Sequence, residues 1–171
     1  WYLMIANHTK GFVRQRGANW TINYIATHST DFANKTLNFE EEVEIDDEGS
    51  RVADLELIQV GKPTIYYEFK SVKEIKDSYI SQFVKDLKRP DVNNLSQIQW
   101  IFDHDKMSLA QVKEKVIAAL VKNKEMLDDE NIRNKFTKLG KQKNQGFAID
   151  DNIELIEYLS NDSDWFNLIF K

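Results

Sequence analysis

Asp54, Glu68 and Lys70 are the residues whose types and spacing could do chemistry. Asp54 lies in the run Ala53-Asp54-Leu55-Glu56-Leu57, and the other two lie in Ile65-Tyr66-Tyr67-Glu68-Phe69-Lys70. Both runs alternate apolar and polar residues, the period of a strand with one face buried. Gly61-Lys62-Pro63 between them has turn composition, so an antiparallel hairpin is expected. If those three residues form the loop, Val60 faces Thr64, Asp54 faces Lys70 and Glu56 faces Glu68. A register shifted by two puts Asp54 opposite Glu68. In either register the charged residues gather on one face, with Ala53, Leu55 and Leu57 on the other.

Two carboxylates held about 4 Å apart at an effective dielectric near 20 repel by roughly 4 kcal/mol. A cation is the usual reason for bringing them together. Magnesium takes one or two carboxylates and keeps several waters. It polarises phosphoryl oxygens and makes a bound water more acidic. An ammonium beside it, here Lys70, can orient or deprotonate that water, or stabilise charge developing on phosphate. These are the parts that phosphodiester hydrolysis needs. The competing interpretation is an exposed strand with a solvated charged face, but Asp is disfavoured inside strands, and Asp54 sits between Ala53 and Leu55.

The elements that must hold these residues follow from pattern. Residues 17–34 read as a helix with Trp20, Tyr24 and Ile25 on one side. Residues 36–45 alternate as a strand, with Glu41 out of place on the apolar face, and Asp46-Asp47-Glu48-Gly49-Ser50 is a turn. The hairpin strands span Arg51–Val60 and Thr64–Val72. Residues 74–89 then form a helix stopped by Pro90, and Gln97–Asp103 a short apolar strand. Ser108 and Gln111 make a capping box for a helix to about Leu127. Another helix ends near Gly140, and Asp150 or Asp151 caps a last one through Leu159. Trp165–Phe170 is apolar enough to pack back. The expectation is one domain over residues 1–171 of α/β (α+β) class: a mixed sheet around the hairpin within about 17–103, flanked by helices, plus a helical C-terminal extension from about 105.

Composition narrows the chemistry. The 171 residues contain no cysteine, which removes disulfides, thiolate zinc sites and thiol catalysis. His8, His28 and His104 are too scattered for a histidine zinc site. No apolar stretch approaches the roughly 18 residues of a membrane span, and Trp1-Tyr2-Leu3-Met4-Ile5 lacks the basic start of a signal peptide. The absence of an initial Met suggests a piece of a longer protein. The net charge of −5 runs against polyanion binding, yet basic residues concentrate locally. Lys73, Lys76, Lys85, Lys88 and Arg89 flank the hairpin's charged face. Arg133, Lys135, Lys138, Lys141 and Lys143 form a second group. Trp20 and Trp100 are expected in the core.

The run Asp54-Leu55-Glu56-Leu57 followed by Glu68-Phe69-Lys70, in a hairpin succeeded by a helix and a strand, resembles the PD-(D/E)XK nuclease superfamily over residues 17 to about 103. The resemblance implies a restriction-endonuclease-like sheet in which Asp54 and Glu68 bind Mg²⁺ or Mn²⁺ and Lys70 assists the attacking water. Gln82 matches a Gln that members often carry on the following helix, and Glu56, on the face of Asp54, would either bind the metal directly or support a residue that does. Many members also place a Glu on the first helix, whereas Ala18-Asn19-Trp20-Thr21-Ile22-Asn23 has none, which puts a second metal site in doubt. Lys73, Lys76, Lys85 and Lys88 would contact nucleic acid. The expected substrate is DNA, with tRNA close behind. The chain also resembles C-terminal toxin domains of bacterial contact-dependent inhibition and polymorphic toxin proteins. Such domains are carried on a secreted or cell-surface protein, act in the target-cell cytoplasm and are neutralised by a cognate immunity protein. The alternatives are a non-catalytic binding module with a nuclease-like fold and a housekeeping repair or defence nuclease.

Overall fold

The computed structural model describes residues 12–45 and 50–171, without the side chains of residues 12–18, 41, 43 and 44. The N-terminal stretch with His8, and the turn at 46–49, lie outside the described residues. Helix α1 (Phe12–Thr27) and the single turn α2 (Ser29–Phe32) precede three strands, β1 (Thr36–Glu44), β2 (Ser50–Ile58) and β3 (Ile65–Lys70). Helix α3 (Asp77–Lys88) crosses to β4 (Ile98–Phe102). Four helices follow: α4 (Leu109–Lys122), α5 (Glu130–Lys141), α6 (Asn152–Asn161) and α7 (Asp164–Ile169). The sheet order is β1-β2-β3-β4, antiparallel across the first two pairs and parallel across β3 and β4. The architecture is a mixed sheet flanked by helices, as the alternating runs predicted.

Alternation in β3 and β4 divides the sheet into two faces. Phe69, Ile101, Leu55 and Leu57 pack under α1 and α2 with Ile25 and Phe32. Tyr66, Ile98, Trp100 and Phe102 share the opposite core with α3 (Ile80, Phe83, Leu87), α4 (Val112, Val116), α5 (Ile132, Phe136) and α7 (Trp165, Phe166). The helices after residue 105 therefore help build the main core. The apolar tail packs back as expected: Phe170 bridges Trp100, and the Phe102 amide donates to the Lys171 carbonyl at 2.8 Å.

The predicted caps at Ser108/Gln111 and Asp151 are present. Three elements differ from expectation. The first helical region breaks at His28, whose φ of −104° and ψ of 29° leave the helical basin. The helix from Leu109 stops at Lys122, because Asn123 leaves the helical conformation and bonds back to the Ala119 carbonyl at 2.8 Å; residues to Leu127 form a 3₁₀ turn. Gly140 lies inside α5, and its role is close approach: a β-carbon there would overlap the Phe147 ring.

Candidate functional site

The hairpin adopts the shifted register. Leu55 pairs with Tyr67 and Leu57 with Ile65, so continuing that register places Asp54 opposite Glu68. The backbone ladder stops at Leu55, however. The next donor, the Phe69 amide, gives its hydrogen bond to Asp54 Oδ2 at 2.7 Å. The Asp54 side chain thus replaces a strand carbonyl, and β2 departs from β3 at that point. On the other side of β2, the residue in register with Asp54 is Glu40, which adopts φ = 56°, a left-handed conformation unusual for a side-chain-bearing residue. The alternation of β2 slips here. Ala53 packs with Tyr66 and Trp100, whereas Leu55 and Leu57 pack with Phe69. Strict alternation therefore misplaces Ala53, and with it Arg51, which joins Glu68 on the charged face.

Asp54, Glu68, Lys70 and Gln82 form one group. Lys70 Nζ bonds to Glu68 Oε1 and, at 3.0 Å, to Gln82 Oε1. Its ammonium lies 4.7 Å from the Tyr79 ring centroid and 5.1 Å from that of Trp100, a wall that restricts where it can swing. Ser71 and Asp103 pin the end of β3: the Ser71 hydroxyl donates to Asp103 Oδ2 at 2.6 Å, and the Asp103 amide donates to the Lys70 carbonyl at 3.0 Å. Burial, followed by repulsion from Glu68, pushes the Asp54 carboxyl up to about 7, although the Phe69 amide, Lys70 and Arg51 all pull it down.

Two further members escaped the sequence analysis. Arg51 donates to Glu68 Oε2 at 2.7 Å and lies 2.9 Å from Asp86 Oδ1. Asp86 Oδ2 accepts from the Trp100 indole at 2.9 Å. Asp86 is 4% exposed, and burial raises its carboxyl to about 6 despite Arg51. Asp86 lies one helical turn after Gln82, a spacing that puts both on the sheet-facing side of α3. That spacing was the available signal. Arg51 carried none, because the slip at Asp54 cannot be seen in the pattern.

Other expected residues fall elsewhere. Glu56 is opposite Tyr66 and faces Arg89, 3.7 Å away, in a separate cluster. Lys73 and Lys76 are exposed in the loop after Lys70, with Lys76 3.9 Å from Glu74. Lys85 and Lys88 line a groove of about 410 Å³ with Ser81, Val84, Glu125 and Met126. In the second basic group, Arg133 pairs with Asp128 at 2.8 Å, and Lys143 bridges Asp162 and Asp164. Lys135 is buried against the end of α3, donating to the Leu87 carbonyl and to that of Arg89 at 3.0 Å. It caps the helix, and burial lowers its ammonium to about 8. Trp100 is core, and Trp20 packs at the edge of the smaller core.

Among the described residues no group of three or more His, Asp or Glu side chains converges to hold a metal. Asp54 and Glu68 supply two hard oxygen donors, which suits magnesium's habit of using one or two carboxylates with waters. The raised Asp54 carboxyl fits the same idea, since added positive charge would relieve it. Comparison with protein-family models, curated proteins and solved structures found no match. Among the described residues no helix is long and apolar enough to cross a membrane.

Proposed function

We propose that this chain is a metal-dependent nuclease of PD-(D/E)XK type. The observation carrying the reading is the break of the β2–β3 ladder at Asp54, which brings two carboxylates and an ammonium together at the end of the sheet. A half-buried carboxylate held beside a buried one is expensive, and such perturbed groups concentrate at functional sites. Asp54 and Glu68 would hold Mg²⁺ or Mn²⁺. The ion, when bound, supplies Lewis acidity and a more acidic water. Lys70, shared between Glu68 and Gln82, places an ammonium where it can orient a water or neutralise phosphate charge. Lys73 and Lys76, exposed just beyond it, are available to phosphate.

DNA is the favoured substrate and tRNA the second. The finer proposal is an interbacterial toxin domain delivered into a target cell and neutralised by a cognate immunity protein. Incubation with plasmid DNA and with tRNA, in Mg²⁺, in Mn²⁺ and in chelator, tests the activity. The expected result is cleavage of one substrate that chelator abolishes; no cleavage under any of these conditions rejects the reading.

One observation favours a second reading. Both oxygens of Glu68 already have cationic partners within the chain, Lys70 and Arg51. A non-catalytic module that keeps a nuclease-like sheet would satisfy its charges in this way. Calorimetric titration with Mn²⁺ separates the two, since a non-catalytic module shows no binding that depends on Asp54.

A further inference from the structure

Glu68 is gripped unequally by its two cations. Lys70 takes Oε1 and also reaches Gln82, so it has a neutral acceptor to fall back on. Arg51 takes Oε2 through Nη2 and is tied at further points, since its Nη1 donates to the Val52 carbonyl and the group lies against Asp86. Arg51 is 7% exposed, and its guanidinium spans Glu68 at 2.7 Å and Asp86 at 2.9 and 3.4 Å. Asp86 is fixed in turn by the Trp100 indole, and Trp100 itself is 2% exposed. The result is a buried relay, Trp100 to Asp86 to Arg51 to Glu68, that crosses from β4 through α3 to β2 and ends on β3. A planar guanidinium in such a setting fixes direction as well as charge.

We propose that Arg51, anchored by Asp86 and Trp100, is a positioning residue that holds Glu68 Oε2 and thereby presents Oε1 to a divalent cation. This deepens the metal-site reading and rests on it. Partners of ligating carboxylates commonly matter this way, and losing one lowers metal affinity by about 10–100-fold. Asp54, Glu68 and Asp86 against Lys70 and Arg51 sum to about −1 when all are ionised, and a divalent ion turns the cluster positive, which favours a phosphodiester. If Arg51 acted only through its charge, it would oppose the ion, and removing it would tighten binding. A positioning role has the opposite sign.

The test is calorimetric titration of the full chain with Mn²⁺ alone, comparing wild type, Asp54→Asn and the double variant R51Q/D86N. The double variant removes one positive and one negative charge, so the net charge of the cluster is unchanged while the relay is lost. Expected are binding by wild type, its loss in Asp54→Asn, and affinity about 10–100-fold weaker in the double variant. Wild-type or tighter affinity in the double variant, with Asp54→Asn still defective, overturns the positioning role and leaves the metal site standing. No Asp54-dependent binding by wild type overturns both. A second measurement needs no variant. On Mg²⁺ addition, the Trp100 indole N–H resonance should move through Asp86, while that of Trp165, which donates to the Leu159 carbonyl at 3.0 Å, stays fixed. A stationary Trp100 resonance on addition of Mg²⁺ that Asp54 binds rejects the relay, even if the double variant fails to fold.

Discussion

Two clusters of charge sit on the same face of this sheet, and their carboxyls are driven in opposite directions. In the first, Asp54 and Asp86 are raised to about 7 and about 6: burial dominates, and Arg51 and Lys70 offset only part of it. In the second, Arg89 is fully buried, stacks 3.6 Å from the Tyr66 ring centroid and makes two hydrogen bonds to Asp91 at 3.1 and 3.2 Å. Tyr66 donates to Asp91 as well, at 2.5 Å. Burial pulls the Asp91 carboxyl upward, but these bonds outweigh it and the group is lowered. Exposure contributes to the difference: the Asp91 side chain is 40% exposed, so its desolvation is small enough for one guanidinium and one phenol to outweigh, whereas Asp86 is buried and Arg51 offsets only part of the cost. On the proposed nuclease reading, the raised carboxyls of the first cluster await a cation, and the paired charges of the second serve folding.

The largest expected effect is on cleavage. Lys70→Ala should reduce Mg²⁺-dependent hydrolysis by about 10²–10⁴-fold, the range for a positioned proton-transfer group, with little loss of fold in far-ultraviolet circular dichroism. Rates within a few-fold of wild type would move the chemistry away from the first cluster. Next comes stability. Arg89→Met should cost about 3–5 kcal/mol in urea unfolding, because the buried Glu56 loses the cation that faces it, while Asp91, 40% exposed, turns to water. A cost below about 1 kcal/mol would mean that the second cluster is not structural.

The pH dependence of stability divides the clusters again. Asp54 and Asp86 hold protons in the folded chain that the unfolded chain releases above about 4. Their contribution is full below that value and is lost as pH rises through about 6 and then 7. Asp91, being lowered, contributes above its ordinary value and loses its contribution only in stronger acid. From pH 5 to 7.5 the unfolding free energy should therefore fall by an amount on the order of 4 kcal/mol, with the melting temperature falling alongside, and Asp54→Asn should flatten the slope. A profile that rises with pH, or one that Asp54→Asn leaves unchanged, would remove the strain assigned to Asp54.

Legibility in the sequence follows the same division. The succession of elements along the chain, the face shared by Tyr66, Glu68 and Lys70, and the caps at Ser108 and Asp151 all come from local period and side-chain chemistry, and local signals survive folding. The partners of Asp54 and Glu68 do not come from local signals. Asp54 leaves its face to take the Phe69 amide, and that one departure carries Arg51 across the sheet. Lys135 looked like part of a basic surface, because helical spacing says nothing about the carbonyls of α3 waiting nearby. Long-range pairing of buried charge is decided by tertiary geometry, and a one-residue slip in a strand is enough to redirect it.

Glu56 marks the boundary between the clusters, and it carries the smallest predicted effect. Alternation puts it on the charged face two residues from Asp54, so it is a candidate third ligand by sequence. In the fold it faces Arg89 at 3.7 Å, too long for a strong hydrogen bond, and Asp91 already holds that guanidinium twice. Glu56→Gln should therefore cost only about 0.5–1 kcal/mol and leave Mn²⁺ affinity and cleavage within about twofold of wild type, a shift of under about 0.5 kcal/mol. Calorimetry and urea unfolding on the same variant read both quantities. If Mn²⁺ binding instead collapses, Glu56 turns from Arg89 toward the ion. The two clusters would then be a single site, joined through the residue that separates them here.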